Sequence, residues 1–386
     1  MSFDPVRLRA LKDQVAIVGV GASPQGTFPD EDEYSLAAKA LHAALDDCGL
    51  KKTDIDGLFA QGPGGMSFVR FGEMLGVNPV VGGNFTVGGP AIGPLIHHAA
   101  MLLHSGACKC VALVYGNGSR TDKRKFGGMT VYNPAQEYAN AFFYYGLTSP
   151  GAASAFQARI HFERYGTTSR QLATVAVTQR RHAMLNPQAL KREPLTVGDH
   201  QASRFVCEPL HLYDYCLIND GGVALILTTS ERAANLRRKP AYIMGIGRQE
   251  TYRHSSMPNP DLWQDTLPQC AEMTYAMAGI DRRDIDGLMI YDSFSINVWI
   301  SLEGFGFCGE GEAGDFTQGG RIELGGELPV NTHGGHLSDS YMQGWLHQVE
   351  AVRQVRGECG PRQIADAEII QYICRANIAS SIIYRR

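Results

Sequence analysis

The chain of 386 residues is 44% hydrophobic and 19% charged, a globular composition with enough apolar material for more than one core. Its net charge of -4 leaves no surplus of Lys and Arg for phosphate backbones, which excludes a nucleic-acid partner. No window approaches the roughly 18 unbroken apolar residues of a membrane span, and the charged Met1–Asp13 segment lacks a leader-like apolar run, so a cytoplasmic protein with no membrane span is expected.

Val15–Gly21 (VAIVGVG) reads as a buried strand entering a glycine turn, and Leu36–Leu45 as a helix. Gly49–Leu58 (GLKKTDIDGL) leads into another apolar run. Then come a glycine-rich turn at Val87–Gly93, an amphipathic helix at Pro94–His104 and a strand at Cys110–Tyr115. His97 and His98 ride on that helix with Leu95, Leu102 and Leu103, where at least one reads as a packed core histidine. Cys108 and Cys110 share a strand face without a second ligand pair nearby, which predicts buried thiols rather than zinc. Nine cysteines, an odd number, are scattered through apolar stretches, as expected in a reducing compartment. The basic run Arg120–Lys125 (RTDKRK) reads as a solvated loop, with a clamp for the phosphates of a nucleotide-bearing cofactor as the sharper alternative. It opens an excursion, 118–204, that holds helices at Ala152–Tyr165 and Ser169–Met184 and breaks at Asn186-Pro187.

The second part of the chain repeats the first. Ala241–Gly247 (AYIMGIG) starts 226 residues after Val15, and Gly279–Leu288 (GIDRRDIDGL) starts 230 residues after Gly49. Two landmarks with nearly equal offsets indicate a duplicated unit. A helix at Leu267–Met277, a glycine turn at Asn331–Gly335, a helix at Tyr341–Val355 and a strand at Glu368–Cys374 complete the second copy. Strands alternating with helices predict an α/β protein with mostly parallel sheets and two halves, 1–235 and 236–386. The excursion at 118–204 has no counterpart in the second half and is expected over the mouth of the site.

Four boxes then stand out: Arg164–Pro187 (RYGTTSRQLATVAVTQRRHAMLNP), Cys216–Ala224 (CLINDGGVA), Tyr291–Ser295 (YDSFS) and Asn331–Gly335 (NTHGG). In this order, over nearly the whole chain, they resemble the thiolase superfamily, in particular its sterol-carrier-protein and lipid-transfer-protein branch. The resemblance implies duplicated βαβαβαββ halves in a five-layered αβαβα sandwich, a homodimer, and a coenzyme A thioester as substrate. It also marks the departures. The position of the family's nucleophilic cysteine falls on Gly89, and no cysteine lies between Cys48 and Cys108. The first family histidine is replaced by Tyr291. The second, ten residues after Asn331, is replaced by Tyr341. A tyrosine pair in a cysteine-less thiolase scaffold is similar to the steroid side-chain-cleaving retro-aldolases. These split a β-hydroxyacyl coenzyme A thioester into a ketone or aldehyde and a shortened acyl thioester, and work with a small OB-fold partner linked to hydratase systems.

Such a reaction needs a base for the β-hydroxyl, donors for the enolate and an acid for the carbon, but no nucleophile. Tyr341 is the candidate base and Tyr291 the acid or donor, with one phenol expected to be tuned by His333 or His336. Asn331 is expected to donate to the thioester oxygen, with Gly334, Gly335 and Gly89 letting the backbone approach the ligand. His333, His336 and Asp292 are expected behind the tyrosines, Asp292 alternatively capping a helix at Ser295. No metal site and no cofactor beyond the substrate's own coenzyme A are expected. Asp220-Gly221-Gly222 is taken as structural, and Cys374, at the place of the family's second cysteine, as a buried thiol. Two other readings remain: an acyl-CoA acyltransferase using another cysteine, and a non-catalytic acyl-CoA or lipid-binding subunit.

Overall fold

Strands that are apolar on both faces must be covered on both, and the arrangement of cores follows from that requirement. The computed structural model describes residues 3–85, 89–123, 149–250, 266–375 and 378–386. The first half supplies β1 (Val15–Ala22), α1 (Glu33–Cys48), β2 (Gly57–Gln61), β3 (Val81–Asn84), α2 (Ile92–His104), β4 (Cys110–Asn117) and, after the excursion, β5 (Gly221–Thr229). The excursion contains α3 (Pro150–Tyr165) and α4 (Ser169–Met184). The second half supplies β6 (Ala241–Glu250), α5 (Leu267–Ala278), β7 (Gly287–Ile290), α6 (Ser295–Gly304), α7 (Trp345–Arg356), β8 (Ile369–Cys374) and β9 (Ile378–Arg385).

The strand order is β3-β2-β4-β5-β1-β6-β9-β8-β7, with Val330 bridging Leu288 beyond β7. Read outward from the middle, both sides have the same order, so the repeat in the sequence is a repeat of topology. Among the described residues, the strand pairing between the two sides runs through Ala16↔Tyr242 and Ile17↔Ala241. Alternate residues of β1 enter different cores: Ala16 and Val18 pack under α1, while Val15 and Ile17 face a central layer made by α2 and α7. On the other side, Leu288 and Ile290 face an outer core with α5 and α6, whereas Met289 faces the centre. Helix, sheet, helix, sheet and helix are thus stacked in the five layers of the thiolase fold.

Several boundaries differ from those read in the sequence. The glycines of VAIVGVG and AYIMGIG lie inside strands, because the covering helices press onto them. A Cβ on Gly21 would stand 2.2 Å from Ala40 O, and one on Gly247 would stand 2.2 Å from Cys270 O. The helix expected from Tyr341 begins at Trp345, since Gln343 and Gly344 have left-handed φ of 49° and 83°. Cys108 precedes β4 instead of sharing its face with Cys110, although both thiols are buried. His97 is half-buried and His98 is exposed, its ring edge-on to Phe59.

Helices α3 and α4 pack on the outer core of the second half. The part of the excursion at 124–148, including Lys125 of the basic run, lies outside the described residues. Arg120 and Thr121 donate backbone N–H groups to Asp220, which also accepts from Phe28, so this aspartate ties three loops together. Gly247→Ala is expected to lower stability by about 1–3 kcal/mol through overpacking against α5, read as a drop in the denaturation midpoint at unchanged m-value.

Candidate active site

Tyr291 directly follows β7, and its N–H donates to Ile373 O at 2.8 Å, which carries the pairing with β8 one residue past the strand. Tyr341 lies before α7, and its N–H donates to Asn219 Oδ1 at 2.8 Å. Asn219 belongs to the CLINDGGVA box, whose Leu217 N–H also donates to His336 O at 3.0 Å. These bonds bring the two hydroxyls together at 2.9 Å, with Tyr291 4% and Tyr341 9% exposed. Gly89 closes the group from the first half: a Cβ there would stand 2.2 Å from Tyr291 Oη and 3.4 Å from Tyr341 Oη. The three positions singled out in the sequence therefore meet at one point.

His336 packs edge-on against both phenols, with ring centroids 4.8 and 4.9 Å away. Its Nε2 accepts the Gly344 N–H at 2.9 Å, which leaves the ring proton on Nδ1, 3.3 Å from Asp292 Oδ1. That oxygen also accepts the His336 backbone N–H at 2.9 Å and lies 3.0 Å from His347 Nε2. His333 packs on His347 at 4.5 Å between centroids. Burial, and then the neighbouring His347, hold His333 and His336 well below the ordinary imidazole value, so both are neutral. Asp292, His336 and His347 offer ligand atoms within 4.8 Å of one another, a grouping a cation could use. Those atoms already support the orientation of His336.

Four expectations are corrected here. Neither His333 nor His336 lowers a phenol: a neutral imidazole brings no charge, and burial pushes both Tyr291 and Tyr341 above the ordinary tyrosine value. Asn331 does not present its amide to a ligand. Its Oδ1 accepts the Ile290 N–H at 2.7 Å and its Nδ2 donates to Ile290 O at 2.8 Å, closing the end of β7. Gly334 and Gly335 do allow close approach, but to the protein itself. A Cβ on Gly334 would meet Ala183 at 2.7 Å and one on Gly335 would meet Asp292 Oδ2 at 2.3 Å. Asp292 caps no helix at Ser295; its carboxylate serves the 336–337 backbone and His347 instead.

Other residues were not legible in advance. From α4 and the segment after it, Arg180 Nε donates to Ser338 Oγ at 2.9 Å, His182 Nδ1 lies 3.2 Å from Asn331 O, and Asn186 Nδ2 donates to His333 O at 3.0 Å. The excursion thus buttresses the loop beneath Tyr341. Residues 335–339 form a single π turn, a feature that recurs at functional sites. Cys216 and Cys374 flank the phenols. Burial pushes both thiols up, Cys374 to about 12, so neither stands ready as a thiolate. Surface grooves of about 510 and 670 Å³ meet around Arg282 and share no lining residue with this group.

A central glycine facing two touching phenols defines a thiolase-fold protein without a nucleophile. Comparison with known proteins agrees. Residues 248–381 match the family model "Thiolase C-terminal domain-like". The chain is 36% identical to the 17-hydroxy-3-oxo-4-pregnene-20-carboxyl-CoA lyase of Mycobacterium tuberculosis over 90% of its own length and 92% of that protein. It is 35% identical to the steroid side-chain-cleaving aldolase of Thermomonospora curvata over 91% and 92%. Among solved structures, the Ltp2-ChsH2(DUF35) aldolase superposes with a TM-score of 0.90 at 32% identity, covering 97% of this chain and 98% of that one. The chain belongs to the thiolase superfamily, in the group of the steroid side-chain-cleaving aldolases. Among the described residues no helix is long and apolar enough to cross a membrane.

Gly89→Ala is expected to push the phenols apart, costing at least about 100-fold in turnover and about 1–3 kcal/mol of stability. Adding Tyr291→Phe, which removes the colliding oxygen, restores the stability but not the turnover. The buried imidazoles set a second expectation. His333, His336 and His182 all have folded values below the ordinary 6.5, so the stability they contribute is complete above that pH and is lost as pH falls. Melting curves between about pH 7.5 and 5 should show a falling Tm, with a shallower fall in His333→Phe.

Proposed function

We propose that the protein is a carbon–carbon lyase, a retro-aldolase that cleaves a β-hydroxyacyl coenzyme A thioester of the steroid or bile-acid side-chain type. The products are a ketone or aldehyde and a shortened acyl-CoA. The observation that carries the reading is the 2.9 Å contact of two buried phenols against Gly89, where no nucleophile can be placed. The names of the M. tuberculosis and T. curvata relatives support the substrate class.

In this mechanism the pair works in its singly ionised form, which burial makes a minor species at neutral pH. One phenolate takes the β-hydroxyl proton, the carbon–carbon bond breaks, and the electron pair passes into the thioester enolate. The other phenol gives its proton to the α-carbon. A proton then crosses the 2.9 Å bond between the hydroxyls and restores the starting state. No acyl-enzyme forms, in keeping with the raised thiols of Cys216 and Cys374.

The same reading includes a homodimer and a small OB-fold partner. The outermost strand β3 and exposed Val69, Met74 and Val80 beside it support the first. Exposed Phe156, Phe205, Val206 and Leu212, and the two-component name of the structural neighbour, support the second.

Tyr291→Phe and Tyr341→Phe are each expected to lower kcat at least about 100-fold with KM changed only a few-fold. Full activity in both would rule out the tyrosine mechanism. Because the base must be ionised and its pKa is raised, kcat/KM should climb about tenfold per pH unit between about pH 6 and 9 without a plateau. Mass spectrometry after incubation with an acyl-CoA should show no covalent adduct.

A further inference from the structure

The chain returns from the excursion to β5 through a strap, residues 211–219, and this one strap is bonded to both tyrosine-bearing stretches. On the Tyr291 side, Tyr215 bridges Phe294, the Cys216 N–H donates to Ser293 O at 3.1 Å, and the Asp214 carboxylate accepts the Ser295 hydroxyl. On the Tyr341 side, the Leu217 N–H donates to His336 O at 3.0 Å and Asn219 Oδ1 accepts the Tyr341 N–H at 2.8 Å. Two phenols that are 50 residues apart in sequence are thus referred to a single short piece of chain. The links at Cys216 and Leu217 are made by backbone, which no side-chain rotation can loosen.

Asp214 anchors the near end of the strap. Its side chain is fully buried, and a carboxylate is held in such a place only where donors converge on it. The Ser295 hydroxyl donates to Oδ1, the His211 N–H donates to Oδ2 at 2.7 Å, and His200 Nε2 lies 3.0 Å from Oδ1. The bond from His211 folds the one-turn helix Leu212–Asp214 back on its own carboxylate, so that the carboxylate is fixed from the strap's side and Ser295 is fixed by it. Ser295 is the first residue of α6, whose N-cap, Phe294, makes no side-chain capping bond. Asp214 therefore supplies from outside the negative group that a helix start favours. The stretch between Tyr291 and α6 is held at Ser293, Phe294 and Ser295, which sets the direction in which the chain leaves Tyr291.

We infer that Asp214 is a positioning residue: through Ser295 and the strap it sets the spacing of the Tyr291 and Tyr341 hydroxyls, acting from outside the pair. Its effect on turnover rests on the lyase reading; its effect on the spacing does not. Removing the carboxylate frees the strap at one end while Leu217 and Asn219 still hold the Tyr341 side, so the two phenols lose their common reference. An error of about 1 Å in the placing of a reacting group costs on the order of 100-fold in rate.

The test uses the full chain with 3-fluorotyrosine at position 291, recorded without substrate, together with kcat and KM of the unlabelled protein. Asp214→Ala should move the fluorine resonance in the direction in which Tyr341→Phe moves it, and should lower kcat about 10- to 100-fold with KM within about threefold. Ser295→Ala cuts the same bond from the other side and should do likewise, and the double variant should be no worse than Asp214→Ala alone. Asp214→Asn keeps an acceptor for the His211 N–H and turns an NH2 group toward the Ser295 oxygen, so it should return the resonance to its place and kcat to within about threefold of the parent. Gly19→Ala, whose added methyl would stand 2.3 Å from Ala44 O in the outer core under α1, lowers stability without reaching the strap and should leave both readings unchanged. A resonance unmoved in Asp214→Ala, additive losses in the double variant, or equal damage from Gly19→Ala would each overturn the inference. If Asp214→Ala does not fold, Ser295→Ala decides it by the same two readings. Shifted resonances in the variants with no thioester cleavage by the parent protein would count against the lyase reading alone.

Discussion

One steric fact organises the site: the Tyr291 hydroxyl occupies the volume that any side chain at position 89 would need. A Cβ at 2.2 Å from a buried ring oxygen has nowhere to go, because Tyr291 is held from behind by the β8 pairing at Ile373 and by His336 against its face. A cysteine at 89 and a phenol in this place at 291 therefore exclude each other. The same contact puts a proton-bearing hydroxyl where a thiol would otherwise stand.

Holding two phenols in an almost dry pocket costs free energy whenever one of them ionises, and the surrounding shell is arranged to bear that cost. Asp292 accepts a backbone N–H on the oxygen that also lies 3.0 Å from His347 Nε2, His336 is held at Nε2 by the Gly344 N–H, and Asn331 seals the end of β7. Where the shell needs close contact it uses glycine: Gly334 under Ala183, Gly335 under Asp292, Gly344 against the Tyr291 ring. The backbone of each tyrosine is fixed by a buried hydrogen bond, Tyr291 N–H to Ile373 O and Tyr341 N–H to Asn219 Oδ1, and these two bonds set the rings against each other.

Much of this was readable in the sequence, and the limits of that reading are physical. Gly89, Tyr291 and Tyr341 could be placed because each sits at a fixed count from a landmark, and a count survives folding. The duplication was visible because two similar units must bury similar strands. The partner of a polar side chain follows a different rule, since it depends on which atom the fold brings across from it. Gln61 reaches Gln343 over 282 residues of sequence, and nothing local to either announces the other. Asn331 looked like a free donor until Ile290 proved to lie across from it. His347 reads as one more residue of α7, yet it faces Asp292 from the helix's first turn. The burial that defines the site also overturned the expected tuning of the phenols, because the depth of a group cannot be read from its neighbours in sequence.

The duplication has a consequence for the charge at the centre. Each half contributes one helix to the middle layer, and both begin at the phenols: Gly89 precedes α2, and Gly344, whose Cβ would lie 3.2 Å from both the Tyr291 ring and Ile92, precedes α7. Two helix N-termini, each equivalent to roughly half a positive charge and worth about 0.3–1 kcal/mol to a nearby anion, begin beside the phenols. Their combined effect is too small to cancel burial, and both phenols remain raised. It acts, however, on every negative species that passes through the site. A scaffold of two such halves therefore favours negative charge at its centre whichever side chain sits there.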